Sequence, residues 1–181
     1  HRAATIQRIR IGASQNGKIT SIGHECWSGN LKGGDAEPGA LQTRALYAGE
    51  HRMTANHLAV LDLSEGNAMR APGEAPGLAA LEIAMDEMAE KLEIDPVEFR
   101  ILNDTQVLPD NPPPPPAEGG EEKNDEAVPR PNPPFSKRQL VKCLRDGAKH
   151  FGWEKRAAKP GQVRDGRWLI GMGVAAAFRN N

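Results

Sequence analysis

The prolines of this chain are unevenly distributed, and this distribution limits what the chain can fold into. Ten of the 15 prolines lie between Pro109 and Pro134, and five of them form the run Pro112 to Pro116. The stretch has no leucine, isoleucine or aromatic residue, and its six acidic side chains outnumber two basic ones. Because so little apolar surface cannot offset the entropy cost of ordering, the sequence predicts an acidic, polyproline-like and disordered loop.

This proline-rich segment, residues 109–134, separates two parts of the chain that carry the patterns of folded protein. We expect residues 1–108 to form an α+β segment and residues 135–181 to add a helix and a strand to the same domain. A length of 181 residues suits one domain of ordinary size. A tolerated loop insertion explains the segment best, since loops lengthen at little thermodynamic cost. A docking ligand for SH3-type domains is the alternative.

Charge and cysteine usage narrow the classes of function. The 23 basic and 24 acidic side chains nearly cancel, so the chain has no general field that attracts nucleic acid or an anionic membrane. The sequence contains no run of about 18 apolar residues, so it predicts no membrane-spanning helix. The first residues carry neither an initiator methionine nor an apolar signal segment. The spacing of Cys26 and Cys143 matches no metal-binding motif and no disulfide-rich pattern, although a single disulfide between them is possible.

The first part of the chain has clear strand signals. Residues 5–11 and 18–22 alternate between apolar and polar side chains, and Asn16-Gly17 lies between them, which predicts a β-hairpin. Residues 57–63 are typical of a short strand. The polar, glycine-rich residues 28–52 predict a loop, as do the proline- and glycine-rich residues 66–77.

Helix signals dominate further along. Residues 78–92 place leucines and methionines on one helical face. Asp95 followed by Pro96 is a cap and a first-turn proline, which predicts a helix to about Leu102. A third helix is expected from Ser136 to Gly152. The apolar residues 168–178 predict a last strand, buried on both faces and with nothing after it to pair with. The fold class expected is therefore α+β, with a hairpin and short strands packed against about three helices.

Most candidate catalytic and metal-ligating residues have simpler explanations. His24 and Cys26 face the same side of the first hairpin, but no further ligand follows at a useful spacing, so no metal site is predicted. The helix 78–92 also carries an acidic stripe. A solvated helix face explains it better than a catalytic carboxylate pair. The residues of this stripe are Glu82, Asp86, Glu87 and Glu90.

The loop in front of that helix is more informative. Residues 67–77 are rich in glycine and proline and lead into the helix start near Leu78. Unpaired backbone N–H groups, the positive end of the helix dipole and the neighbouring Arg70 can together hold an anion. On spacing alone, a structural connector with one surface arginine is favoured over an anion site.

Several motifs together resemble the molybdenum-binding large subunit of the xanthine dehydrogenase and aldehyde oxidase family. The likeness is strongest to bacterial three-subunit aldehyde oxidoreductases, and it covers nearly the whole chain except the proline-rich segment, which is longer than the usual loop. The matching stretches are Ala4–Arg8, Met69–Gly77, Ala80–Glu87, Asp95–Arg100, Phe151–Trp153 and Pro160–Trp168.

This resemblance implies a fold, an activity and partners. Residues 1–108 would be a cofactor-binding segment of a larger molybdenum-cofactor-binding domain, and the activity would be oxidation of aldehydes or N-heterocycles with water as the oxygen source. The cofactor would be molybdopterin in its cytosine dinucleotide form. A small subunit with [2Fe–2S] clusters and a medium subunit with FAD would complete a heterotrimer, in the bacterial cytoplasm or periplasm, without nucleic acid or membrane insertion.

The resemblance also assigns site residues. The cofactor-binding residues would be Ala68, Met69, Arg70 and Ala71. The backbone N–H groups of Arg70 and Ala71 would face the metal's oxygen ligands or the pterin, and the Arg70 guanidinium would orient the substrate. Xanthine-type enzymes have Gly-Phe after this arginine, whereas this chain has Ala71-Pro72. That difference removes an aromatic wall and favours aldehydes over purines.

Two family motifs are missing from the sequence. The glycine-rich loop that forms part of the cofactor site and the catalytic glutamate near the family's C-terminus do not occur here, so no catalytic residue and no metal ligand is assigned. We therefore expect an internal fragment of a longer subunit, inactive alone. Two other functions stay open. One is an interaction module that docks a partner through residues 109–134, and the other is a phosphate- or nucleotide-binding domain that uses the loop before Leu78.

Overall fold

The computed structural model of this chain describes residues 2–105 and 137–178. Within them lie two small sheets and four α-helices, which confirms the predicted α+β class. The elements in chain order are β1 (Thr5–Ala13), β2 (Ile19–Asn30), α1 (Thr43–Leu46), β3 (His51–Val60), α2 (Glu74–Lys91), α3 (Pro96–Leu102), α4 (Leu140–Phe151), a 3₁₀ turn (Trp153–Lys155), β4 (Val163–Asp165) and β5 (Trp168–Ile170).

The first two strands form the predicted hairpin. β1 and β2 run antiparallel, with Thr5 opposite Ser28 and Ile11 opposite Ile22. At the turn, the N–H of Gly17 donates to the carbonyl of Ser14 over 2.9 Å, and Gly17 has a φ of +86°. Glycine adopts this left-handed conformation without steric cost, which is why Asn-Gly is so reliable a hairpin signal.

The third strand begins earlier than its sequence pattern indicates. β3 pairs with β2 in parallel from His51 to Val60, so the sheet order is β1-β2-β3. Residues 28–52, predicted as loop, therefore also contain the end of β2, the short helix α1 and the start of β3. β3 lies at the sheet edge and is largely exposed on both faces, so its sequence lacks the alternation that marks a half-buried strand.

The core lies between the sheet and α2. Leu78, Leu81 and Met85 of α2 are buried against Ile22 of β2 and neighbouring side chains, as the helical spacing predicts. α2 begins at Glu74, four residues before the predicted start, and Pro76 lies in its first turn. Proline is tolerated there because the first helical N–H groups have no partner within the helix.

The two remaining helices follow their end signals. α3 starts after Asp95 and extends to Leu102, as predicted. α4 ends where Gly152 turns with a φ of +76°, which confirms the predicted stop. The proline-rich segment and Ser136 lie outside the described residues. The helix α4 begins at Leu140, later than the predicted start at Ser136, because residues 137–139 are not helical. No helix in the described part of the chain is both long and apolar enough to cross a membrane.

The predicted last strand is wrong. Only Trp168–Ile170 forms a strand, which is exposed and pairs with Val163–Asp165 of the preceding sequence. Residues 171–178 have neither helical nor strand structure. Ala175–Phe178 line a cleft beside α2, where Ala176 is buried. The predicted burial on both faces is also wrong, because most of the other residues from 168 to 178 are exposed.

Candidate functional site

The loop between β3 and α2 contains the four residues that the resemblance assigns to cofactor binding. Ala68, Met69 and Arg70 are exposed, and Ala71 is half-buried. Ala71 has a φ of +55°, followed by Gly73 at +74°. A left-handed conformation costs a residue other than glycine about 1 kcal/mol or more and persists only where the surroundings impose it. The conformation of this loop is therefore held by contacts outside it.

Those contacts come from Arg2 and Glu37. The guanidinium of Arg2 donates to the carbonyl oxygens of Arg70 and of Ala71, the latter over 3.1 Å. It also pairs with Glu37 Oε1 at 2.8 Å, and the same oxygen accepts from the N–H of Gly73 at 2.6 Å. We call this the Arg2–Glu37 brace. It joins the start of the chain, a buried carboxylate and the loop into one unit.

The brace determines where the N–H of Ala71 points. In a trans peptide the carbonyl and the N–H point in opposite directions, and no peptide bond among the described residues is cis. Because the carbonyl of Arg70 faces Arg2, the N–H of Ala71 points away from Arg2. Within residues 2–105 and 137–178, neither this N–H nor that of Arg70 donates to a protein acceptor. Together with the N-terminal end of α2, they suit an oxygen-rich or anionic group.

Beside the loop lies a cleft of about 460 Å³, between the first half of α2 and residues 175–178. Its lining is apolar except for two glutamates, and consists of Ala71, Glu74, Ala75, Leu78, Ala79, Glu82, Ala175, Ala176, Ala177 and Phe178. Of the four predicted site residues, only Ala71 lines it. The guanidinium of Arg70 is exposed and forms no ion pair among the described residues.

Glu74 brings an unused acceptor to this cleft. Its Oε2 is buried and has no hydrogen-bond donor among the described residues. Buried polar atoms in native proteins nearly always have a partner, so such an atom at a cleft wall suits a ligand with N–H groups. The donors at Arg70 and Ala71 and the acceptor at Glu74 therefore fit a pterin, which carries both oxygen atoms and ring N–H groups.

His24 lies in the core and is hydrogen-bonded on both ring nitrogens. It is fully buried, with Nε2 2.9 Å from Gln7 Oε1 and Nδ1 2.6 Å from the hydroxyl of Thr43. Because an amide oxygen only accepts, Nε2 carries the proton and Nδ1 accepts from Thr43. Burial lowers the pKa of His24 to about 4, so the ring is neutral at pH 7. The described residues contain no group of three or more potential metal ligands.

Neither cysteine forms a disulfide. Cys26 is buried on the same face of β2 as His24, whereas Cys143 is exposed on α4, and both thiols are free. Burial raises the pKa of the Cys26 thiol, which keeps it protonated. The one disulfide that the sequence left open is therefore absent.

The acidic stripe of α2 is not uniformly solvated, contrary to the sequence-based interpretation. Glu82 is only 5% exposed. Its Oε1 accepts from the Tyr47 hydroxyl at 2.6 Å, and its Oε2 from Arg100 Nε at 2.7 Å. Burial, and then the charge of Glu82, raise the pKa of the Tyr47 hydroxyl, so Tyr47 stays protonated and donates to Glu82. Glu87 and Glu90 are exposed, as expected.

Comparison with known proteins places this arrangement in a family. The family model described as "Molybdopterin cofactor-binding domain" matches residues 1–104. The chain therefore belongs to this family, which confirms the resemblance to molybdenum hydroxylase large subunits. Over all 181 residues it is 61% identical to the aldehyde oxidoreductase molybdenum-binding subunit PaoC of Escherichia coli K12.

Two further comparisons agree. A xanthine dehydrogenase molybdenum-binding subunit of Escherichia coli O157:H7 is 30% identical over 162 residues, which are 90% of this chain and 18% of that protein. The crystal structure of the aldehyde oxidoreductase from Desulfovibrio desulfuricans matches 84% of this chain and 15% of its own, with a TM-score of 0.59 and 21% identity, which shows the fold alone. The chain spans 22% of the length of PaoC.

Proposed function

We propose that this chain forms part of the molybdenum subunit of an aldehyde-oxidising molybdenum hydroxylase. The single observation that carries the proposal is the braced loop, in which the carbonyls of Arg70 and Ala71 accept from Arg2 and the N–H of Ala71 points away from Arg2 at the end of the cleft. The 61% identity to a subunit named for molybdenum binding and aldehyde oxidation supports it along the whole chain.

Each part of the site has a distinct role in this proposal. A molybdopterin cofactor, when bound, supplies the oxygen-transfer and hydride-accepting chemistry. The N–H groups of Arg70 and Ala71 donate to oxygen atoms of that group, and Glu74 Oε2 accepts from it. The Arg2–Glu37 brace holds these donors in place before binding, which reduces the ordering cost of binding.

The side chains around the loop select the substrate. The Arg70 guanidinium is exposed beside the loop, so it is available to orient a polar or anionic group by charge-assisted hydrogen bonds. Ala71 and Pro72 offer no aromatic ring against which a purine could stack. We therefore propose aldehydes as the substrate class. The proposal includes the cytosine dinucleotide form of the cofactor, partner subunits with [2Fe–2S] clusters and FAD, and a bacterial cytoplasmic or periplasmic location.

Two variants of the native gene product test the separate roles of Arg2 and Arg70. For Arg2→Ala we expect about a tenfold loss of molybdenum affinity, measured as metal content after dialysis, because the loop loses its brace. For Arg70→Ala we expect unchanged molybdenum content but about a tenfold higher KM in aldehyde-dependent dye reduction, since a charge-assisted hydrogen bond is lost.

Arg164→Ala is the matched control, because Arg164 is an exposed arginine on β4 outside the cleft. It should change neither molybdenum content nor KM. Unchanged kinetics in Arg70→Ala would remove Arg70 from the substrate site. Unchanged molybdenum content in Arg2→Ala would contradict the proposed role of the loop N–H groups.

A further inference from the structure

The wall of the cleft opposite α2 is a segment without regular structure. Residues 171–178 belong to neither sheet, so no strand ladder holds them in place. The N–H of Ala176 donates to Glu82 Oε2 at 2.8 Å, and Ala176 is buried at this contact. Two residues on, the ring of Phe178 lies 5.6 Å from the Arg138 guanidinium. The position of the wall therefore depends on a few contacts, of which the bond to Glu82 lies deepest.

Glu82 itself is held rigidly. Its carboxylate accepts from Tyr47, Arg100 and Ala176, which lie in three separate parts of the chain. Arg100 is fully buried and also donates from Nη2 to the backbone carbonyl of Glu82 at 3.1 Å. A carboxylate with three donors and almost no exposure is not free to exchange protons with a substrate. It can act on the site only through the backbone that it holds.

The location of Glu82 makes this contact relevant to the site. Glu82 and Glu74 lie eight residues apart on α2 and line the same cleft, which ends at Ala71. The wall across from them is Ala175–Phe178. The bond between Glu82 and Ala176 therefore spans the cleft from one wall to the other, and it fixes the distance between them.

We propose that Glu82 is a positioning residue, whose carboxylate holds the backbone at Ala176 and thereby sets the width of the cleft beside the loop Ala68–Ala71. This inference rests on the proposed function, in which that loop contacts the cofactor. The carboxylate is replaceable only by a group that accepts from Arg100 and Ala176 together. Arg100 Nε and the Ala176 N–H both donate to Oε2, whereas Tyr47 donates to Oε1. Methionine, of similar length but without an oxygen, does not meet this requirement.

Hydrogen exchange in the native holoenzyme tests the tether directly. In Glu82→Met, we expect peptides from residues 171–178 to exchange at least about tenfold faster, because the Ala176 amide loses its acceptor. Tyr47→Phe is the matched control, since it removes another hydrogen bond of the same carboxylate but leaves the one to Ala176. Equal acceleration in both variants, or none in either, would overturn the proposal, because the network would then be merely structural.

Ala176→Pro provides a second route that leaves the Glu82, Tyr47 and Arg100 network intact. It removes the N–H of residue 176 and fixes its φ, so residues 171–178 should again exchange faster. With molybdenum content unchanged, KM should rise about tenfold for bulky aldehydes and less for acetaldehyde, while kcat stays close to the wild-type value. An unchanged KM together with fast exchange would show that the wall's position does not matter to the site, and would refute the positioning role.

These outcomes can be told apart from failure of the proposed function. Absence of molybdenum from the wild-type protein would refute the proposed function. The exchange comparison between Glu82→Met and Tyr47→Phe would still decide whether Glu82 holds Ala176, since that measurement does not depend on the cofactor.

Discussion

At the scale of single residues, the importance of Arg2 and Glu37 comes from contacts far along the chain. Arg2 is 68 and 69 residues from the loop carbonyls that it binds, and Glu37 is 36 residues from Gly73. No local motif marks such partners in a single sequence. The resemblance to a family identified the loop Ala68–Ala71, whereas the residues that hold it became visible only in the fold.

The burial of Glu82 also depends on residues far along the chain. By helical spacing it belongs to a polar stripe, and three of the four residues in that stripe are at least partly exposed. Its burial depends on Arg100 of α3 and Ala176 of the last segment approaching the same point. Periodicity assigns a face to a residue, but it does not identify which polar side chain on that face will meet a buried cation.

His24 should make stability depend on pH. Burial lowers its pKa from 6.5 to about 4, so between these values the unfolded chain binds a proton that the folded chain does not. Stability is therefore expected to fall as the pH decreases from 6.5 towards 4. The check is the urea midpoint of the chain measured at intervals across this range.

His24→Gln serves as the control, because glutamine offers polar groups to Thr43 and Gln7 but does not titrate. Its midpoint should change less over the same pH range, although it starts lower at pH 7. A wild-type midpoint that is flat from pH 6.5 to 4 would contradict the assignment of a neutral buried ring.

Two glycines should respond oppositely to alanine. A Cβ at Gly77 would lie 1.8 Å from the backbone oxygen of Gly39, so Gly77→Ala has to displace the start of α2 and should cost about 3 kcal/mol. Gly147 lies inside α4. A Cβ added there would have no atom of the described residues within 4 Å apart from its own helix backbone and chain neighbours, so Gly147→Ala should stabilise by about 0.5–1 kcal/mol.

Urea unfolding of the two variants measures both changes. A Gly77→Ala chain as stable as the wild type would mean that α2 does not pack closely on residue 39, which would alter the account of the cleft.

At the scale of elements, the best-predicted parts are those whose ends carry chemical signals. The hairpin has Asn16-Gly17, α3 has Asp95-Pro96 and α4 has Gly152, and each feature lies where its signal indicates. The edge strand β3 and the last segment lack such signals. Their structure depends on which neighbour covers each face, and a sequence pattern does not contain that information.

Asp95 joins α3 to the end of the chain and is the residue to test at this scale. Its carboxylate caps α3 at the N–H of Val97, 2.8 Å away, and accepts from Trp153 Nε1 at 2.9 Å and Arg156 at 3.0 Å. Asp95→Ala should lower the free energy of unfolding by about 2 kcal/mol, roughly 1 for the helix cap and the rest for the hydrogen bonds to Trp153 and Arg156. Thermal unfolding of the chain at pH 7 measures it.

The part of the folding stability that depends on the ionised carboxylate of Asp95 should be lost in acid. Burial acts to raise the pKa of Asp95, but hydrogen bonds from Trp153, Arg156 and the helix N–H groups outweigh it, so the pKa is lowered. A lowered carboxyl pKa gives stability that is present above the unfolded value near 3.8 and is lost as the pH falls through the folded value. Asp95→Asn keeps the cap and removes this titration. A stability difference between Asp95→Asn and wild type that stays constant as the pH falls below 3.8 would contradict the assignment.

At the scale of the whole molecule, the two described parts on either side of the proline-rich segment contact each other. Arg138 pairs with Asp104 at 2.6 Å, Arg156 and Trp153 bind Asp95, and Ala176 binds Glu82. These ties support the expectation that residues 1–108 and 135–181 belong to one domain. The prediction of a disordered loop at 109–134 stays a prediction, and so does the idea that it docks a partner.

The central claim is that the braced loop and its cleft hold a molybdenum cofactor. The most direct measurement is the molybdenum content of the native gene product that carries this sequence, purified from cells with an intact cofactor-synthesis pathway. We expect about one molybdenum atom per polypeptide, with molybdopterin recovered when the protein is denatured. A well-folded protein with no molybdenum above background would contradict it.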